Sequence, residues 1–168
     1  MKKIGIIYGS TTGNTQSIAE KIAKKLSSED VTLIDASKLK TEDLDVYPNL
    51  ILGTSTWGLG DLQDDWDGAL GTLKKSNLAG KTVAFFGLGD SDSYSDTFVD
   101  GMGILYETVQ EKGGKTVGEV STEGYHFDSS KAVVGDHFVG VALDEDSQSN
   151  LTDGRIDKWI ATILPAFQ

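Results

Sequence analysis

Short runs of apolar, mostly β-branched residues recur along this chain, and between them the apolar residues are spaced as on one face of a helix. The runs are Ile4–Tyr8, Val31–Ile34, Leu50–Leu52, Thr82–Phe86, and a broken fifth around Val117–Val120 and Phe138–Leu143. Each is bounded by Gly, Asp, Ser or Asn, as strands buried on both faces are. Between them Ile18, Ile22 and Leu26 repeat at helical spacing, as do Trp66, Leu70 and Leu73, and then Phe98, Met102, Leu105 and Val109. A last helix carries Ile156, Trp159, Ile160, Ile163 and Leu164, with Pro165 expected to stop it, and a short helix is predicted within Ser37–Asp45. Strand alternating with helix predicts an α/β fold, a parallel sheet with helices on both faces. Residues 121–137 read as a glycine-containing excursion that interrupts the last strand. The 168 residues can bury one proper core, so a single domain over 1–168 is expected.

Composition removes several chemistries. There is no cysteine, hence no disulfide, thiolate metal site or cysteine nucleophile. The two histidines, His126 and His137, have no ligand spacing that supports zinc. The start Met1-Lys2-Lys3 resembles the charged onset of a signal peptide, but the apolar run after it is too short, and no stretch is long enough to span a membrane. A cytoplasmic location is therefore expected. The net charge of -11, from 15 Lys plus Arg against 26 Asp plus Glu, repels nucleic acid and anionic lipid and favours basic partners.

In parallel sheets, ligands sit beyond the carboxyl ends of the strands, where strand order reverses. Three loops leave strands at that edge: residues 9–15, 53–61 and 87–96. The first, Gly9-Ser10-Thr11-Thr12-Gly13-Asn14-Thr15, carries four hydroxyls and no charge and leads into a helix. A helix N-terminus offers unpaired N–H groups and partial positive charge, which suit a phosphate. The triphosphate motif G-x-x-x-x-G-K-[ST] is not met: only three residues separate Gly9 from Gly13, and Asn14 stands where that motif has Lys. A phosphomonoester held by neutral donors needs less charge compensation. Capping alone would account for one or two hydroxyls, but not for four beside a glycine.

The other loops, GTSTWGLGD and GLGDSDSYSD, each place one large aromatic, Trp57 and Tyr94, among small residues. Either could simply cover the sheet's end. Paired with a phosphate loop, they point to a ligand that is a flat ring at one end and a phosphomonoester at the other.

These residues resemble the flavodoxin family. Ser10-Thr11-Thr12-Gly13-Asn14-Thr15 matches its phosphate loop, T/S-x-T-G-x-T, in full. The Trp57 and Tyr94 loops are similar to its two ring-contacting loops, and the ending ALDEDSQSNLTDGRIDKW is also similar. The 121–137 excursion resembles the insertion of the long-chain branch. The resemblance implies a three-layer sandwich around a five-stranded parallel sheet of order 2-1-3-4-5, flavodoxin itself being the standing example of FMN at such a switch point. It also implies a low-potential one-electron carrier, not an enzyme, that binds FMN non-covalently and shuttles between quinone, neutral semiquinone and anionic hydroquinone. Carried over by position, Ser10 to Thr15 grip the phosphate, Trp57 and Tyr94 cover the two ring faces, and backbone groups near Leu88, Gly89 and Asp90 bond the pyrimidine edge. Ser55, Thr56 and Asp146 lie near the ribityl chain or ring margin, and Gly58 and Leu59 supply the peptide that turns towards N5. The tyrosine loop departs from the family's Gly-Tyr-x-Asp-Asn at Ser93 and Thr97, and Gly58 stands where many long-chain members have a side chain.

Glycine reaches the positive dihedral that such a rotated peptide needs with little strain, whereas a Cβ costs on the order of 1 kcal/mol or more. Gly58→Ala is therefore expected to lower the first reduction potential, by roughly 59 mV for each tenfold loss in equilibrium constant, in a redox titration. An unchanged first midpoint counts against that role.

A monomer serving basic-surfaced redox proteins, such as a ferredoxin–NADP reductase-like enzyme, is expected, with Asp61, Asp64, Asp65 and Asp67 steering them. These acids also complement the dipole of the following helix, with Lys74 and Lys75 at its far end. An FMN-dependent NAD(P)H or quinone reductase on the same fold needs an open ring face and a second phosphate pocket, and neither is suggested. A phosphoryl-receiver domain lacks its acidic pair after the first strand, and no G-x-S-x-G elbow supports a hydrolase.

Overall fold

A computed structural model describes residues 1–57 and 59–168. In chain order the elements are β1 (Lys3–Tyr8), α1 (Asn14–Lys25), β2 (Asp30–Asp35), α2 (Thr41–Val46), β3 (Asn49–Trp57), β4 (Asp61–Leu62), α3 (Asp65–Lys74), β5 (Thr82–Leu88) and α4 (Asp100–Glu111), then β6 (Lys115–Thr116), β7 (Val120–Ser121), β8 (Val133–Val134), β9 (His137–Phe138), β10 (Val141–Leu143) and α5 (Thr152–Ala166).

The central sheet runs β2-β1-β3-β5-β10, each pair parallel. Counting only these five strands, the order is the expected 2-1-3-4-5. Side chains alternate along each strand, so one run feeds two cores. Leu50, Leu52, Val83 and Phe85 pack with Trp66, Leu73, Met102, Leu105 and Val109 of α3 and α4. Ile51, Ala84 and Phe86 face the other way and pack with Ile18, Ile22, Ile156, Trp159 and Ile163 of α1 and α5. Burial on both faces is why these strands read as continuous apolar runs.

The fifth strand differs in detail from expectation. It is two short pieces on one edge of β5: β6 pairs at Thr82 and Val83, and β10 pairs at Phe86 through Leu88. Gly118, at φ +90°, lies between β6 and β7, and Val120 belongs to β7 of a separate antiparallel sheet, β7-β9-β8. The chain rejoins β5 at Gly140, where a Cβ would fall 2.2 Å from the Phe85 carbonyl oxygen. The excursion is therefore wider than 121–137 and includes Phe138. The short helix expected within Ser37–Asp45 is α2, preceded by a 3₁₀ turn at Ala36–Lys38. Helix α5 continues through Pro165 to Ala166: the proline gives up the one N–H that would donate to the Ala161 carbonyl, and the ladder closes beyond it with the Phe167 N–H on the Ile163 carbonyl at 3.0 Å.

Candidate functional site

The carboxyl ends of β1, β3, β5 and β10 open on a cleft of about 400 Å³. Its first wall is the start of α1. Gly9 follows β1, and a Cβ there would lie 2.2 Å from Gln63 Oε1 and 2.7 Å from Trp66 Cδ1, so only glycine lets the loop pass α3. Gly13 is the N-cap, at φ +94°, and no side chain caps the helix. Ser10 Oγ accepts from the Gly13 N–H at 3.0 Å, and Thr11 Oγ1 accepts from Gln63 Nε2 at 2.8 Å. Thr12, Asn14 and Thr15 line the cleft. Capping was the bland explanation of the hydroxyls, yet α1 begins without a side-chain cap and without an acid in its first turn. Its first-turn amides have no side-chain acceptor, and the loop's own side chains are uncharged, which suits a phosphate; the carboxylate of Asp65 stands behind the loop, accepting from the Ser10 N–H at 3.4 Å.

The second wall is the end of β3. Ser55, Thr56 and Trp57 line it, and Trp57 is 42% exposed. Its indole N–H donates to Ser55 Oγ at 2.8 Å, which orients the ring. Thr56 Oγ1 accepts from the Gly101 N–H, tying the strand to α4. Gly58, expected at this turn, lies outside the described residues, and Leu59 is 90% exposed and stands outside the cleft wall. Ser10, Thr11 and Gly13 also stand outside it, supporting the loop through the bonds just described.

Leu88, Gly89, Asp90, Tyr94 and Thr97 form the third wall, and Tyr94 is 55% exposed. The loop is held from inside and outside. Asp90 Oδ1 accepts from the N–H groups of Asp92 and Ser93. From the excursion, the N–H groups of Asp128 and Ser129 donate to the Ser95 carbonyl, and Ser95 Oγ donates to Asp128 Oδ2 at 2.8 Å. Phe127, Phe138 and Tyr125 pack around Phe98 behind this loop. Thr97 reaches the cleft although its residue type departs from the family pattern, whereas Ser93 serves the internal turn.

Glu145 and Asp146 close the site. Glu145 was not anticipated, although it lies inside the family-like ending. Thr152 Oγ1 donates to its carboxylate. Hydrogen bonding, chiefly from the Ser93 N–H, holds the Asp90 carboxyl below the usual range. Burial, and then the charges of Asp90, Asp144 and Glu145, push Asp146 above it. The signs oppose each other. Asp90's contribution is present above the ordinary carboxylate pKa and fades as pH falls through its lowered one. Asp146 binds its proton more tightly in the folded protein, so stability rises as pH falls through its raised pKa. Asp146→Asn is therefore expected to stabilise the protein modestly at neutral pH, with the gain vanishing below about pH 4, in urea melts. A gain independent of pH removes this account.

The site brings together a neutral anion cradle, two exposed aromatics and a rim of carboxylates. No cluster of metal-ligating side chains occurs among the described residues. Residues 6–159 match the family model described as Flavodoxin. A flavodoxin of Nostoc is 49% identical over 99% of this chain and 98% of its own length, and one of Helicobacter pylori is 47% identical over 99% of each. The crystal structure of Fusobacterium nucleatum flavodoxin bound to flavin mononucleotide superposes with a TM-score of 0.95 at 36% identity, covering all of both chains.

Proposed function

We propose, from the premise that this chain belongs to the flavodoxin family, that it is a low-potential one-electron carrier which holds FMN in the cleft described above. Family membership makes it an FMN-binding electron-transfer flavoprotein and not an enzyme. When bound, FMN supplies the redox chemistry. The protein's residues set its terms. The amides and hydroxyls at the start of α1, with Thr12, Asn14 and Thr15, hold the phosphate. Trp57 and Tyr94 cover the ring and exclude water from it, and backbone groups at Leu88, Gly89 and Asp90 meet its polar edge. Ser55, Thr56, Glu145 and Asp146 border the remainder of the cleft. A phosphate cradle without lysine, a carboxylate rim and a net charge of -11 all oppose further negative charge in the cleft, which favours a strongly negative second potential.

The observation that carries this reading is the convergence, in one cleft, of an uncapped helix start with two exposed aromatic rings. A reductive titration of the purified yellow holoprotein, followed by absorption, is expected to show two separated one-electron steps. A single two-electron step, or fast bleaching by NADPH alone, overturns the carrier reading. A colourless protein that takes up no FMN removes the site itself.

The partner is a basic-surfaced redox protein, of the ferredoxin–NADP reductase kind, and the carrier works as a cytoplasmic monomer. Among the described residues, no helix is long and apolar enough to cross a membrane. Exposed Leu59, Trp57 and Tyr94 offer apolar contact, and Asp65 and Asp67 in the first turn of α3 stand beside them in sequence with Asp61 and Asp64. Association with such a partner is expected to slow markedly between about 0.01 and 0.3 M salt, as the Debye length shortens from about 30 Å to about 6 Å. Salt-independent association removes the steering role.

A further inference from the structure

We infer that Asp144 is a positioning residue for the bound flavin: a buried carboxylate that locks the tyrosine loop to the loop after β10 and so sets the ring-side width of the cleft. This rests on the FMN reading above.

Asp144 follows β10 directly and is 0% exposed. Its Oδ2 accepts from the Ser91 N–H at 3.0 Å and from Ser91 Oγ at 2.6 Å. Its Oδ1 accepts from the Asp146 N–H at 3.1 Å and the Ser147 N–H at 2.8 Å. A buried carboxylate is tolerated only when its oxygens are satisfied, and here each oxygen receives two neutral donors. The two oxygens serve different loops. Oδ2 holds the segment that presents Gly89, Asp90 and Tyr94 to the cleft, and Oδ1 holds the segment that presents Glu145 and Asp146. The two segments are further joined by the Gly89 N–H to the Leu143 carbonyl and by Ser147 Oγ to Asp90 Oδ1. Asp144 itself does not line the cleft. It acts through the walls that it joins.

The chemistry demands a carboxylate. An asparagine would turn its NH₂ either towards Ser91 or towards the 146 and 147 amides, facing donor against donor and releasing one loop. A glutamate is one methylene too long for a site with no exposed surface. Ser91→Ala keeps the backbone bond and removes only the hydroxyl arm.

The test is titration of the Asp144→Asn and Ser91→Ala apoproteins with FMN and with riboflavin, together with the visible circular dichroism of the bound flavin. Asp144→Asn is expected to weaken both flavins by the same factor, about tenfold or more, and Ser91→Ala by about threefold, with the dichroism altered in each. The FMN-to-riboflavin affinity ratio stays at the wild-type value, because the phosphate cradle is on another loop. Wild-type affinity and dichroism in the folded variants, with only a lower urea midpoint, overturn the inference and leave Asp144 as a fold-stabilising group. If Asp144→Asn does not fold, Ser91→Ala alone decides by the same readings. Failure of the wild-type protein to bind FMN removes the underlying reading and this inference with it.

Discussion

Asn14→Asp is expected to stabilise the apoprotein while weakening FMN binding by about 30- to 150-fold and leaving riboflavin binding unchanged. Asn14 is the first residue of α1, is exposed, and lines the cleft. An acid in the first turn complements the helix dipole by about 0.3–1 kcal/mol, and α1 has none there. The absence is informative, because the substitution is nearly isosteric and would improve the helix. Its cost falls on the ligand: a carboxylate lining the cleft would repel a phosphate dianion held there by about 2–3 kcal/mol at effective dielectrics between those of a protein surface and water. Riboflavin lacks the phosphate and does not meet that repulsion. Apoprotein urea melts and titrations with both flavins read the three effects separately. An equal loss of both flavins places the phosphate elsewhere.

Trp57→Ala is expected to weaken FMN and riboflavin by a common factor of about 30- to 150-fold. The indole contributes ring area removed from water and offset stacking, together about 2–3 kcal/mol. The apoprotein should lose no more than about 0.5 kcal/mol, since Trp57 is 42% exposed and its one hydrogen bond is to Ser55 Oγ beside it. Flavin titration and urea melts separate the two effects. A loss confined to FMN, or none, ends the stacking role. Together the two variants divide the cleft into a phosphate end and a ring end, since one changes the FMN-to-riboflavin ratio and the other does not.

Much of this architecture is local in origin and was legible in the residues. Strands β1, β3 and β5 lie buried between two helical layers, so each had to be an unbroken apolar run. The helices each present one face to the sheet, so Ile18, Ile22 and Leu26, or Ile156, Trp159 and Ile163, had to recur at helical spacing. The anion cradle needs contiguous backbone, and it is written in consecutive positions from Ser10 to Thr15. Family membership was visible for the same reason, because the motif is short and uninterrupted.

What stayed hidden depends on residues that meet only after folding. Glu145 and Asp144 are adjacent in the chain, yet one faces the cleft and the other is sealed beneath two loops. Nothing in their residue type separates them. The pairing of Thr11 with Gln63, and the bracing of Ser95 by Asp128, join positions 52 and 33 residues apart. The break in the last strand was legible, but its bounds were not: Gly118 and Gly140 let the backbone turn and press against its neighbours, which a hydropathy pattern does not record.

The sequence by itself determined the alternation of layers, the uncharged phosphate cradle and the two aromatic residues at the sheet's open end, because periodic burial and a contiguous motif are properties of neighbouring residues. Only the tertiary structure decided which hydroxyls line the cleft, which carboxylates border it and how the excursion holds the tyrosine loop, because those outcomes depend on donors and acceptors brought together from distant parts of the chain.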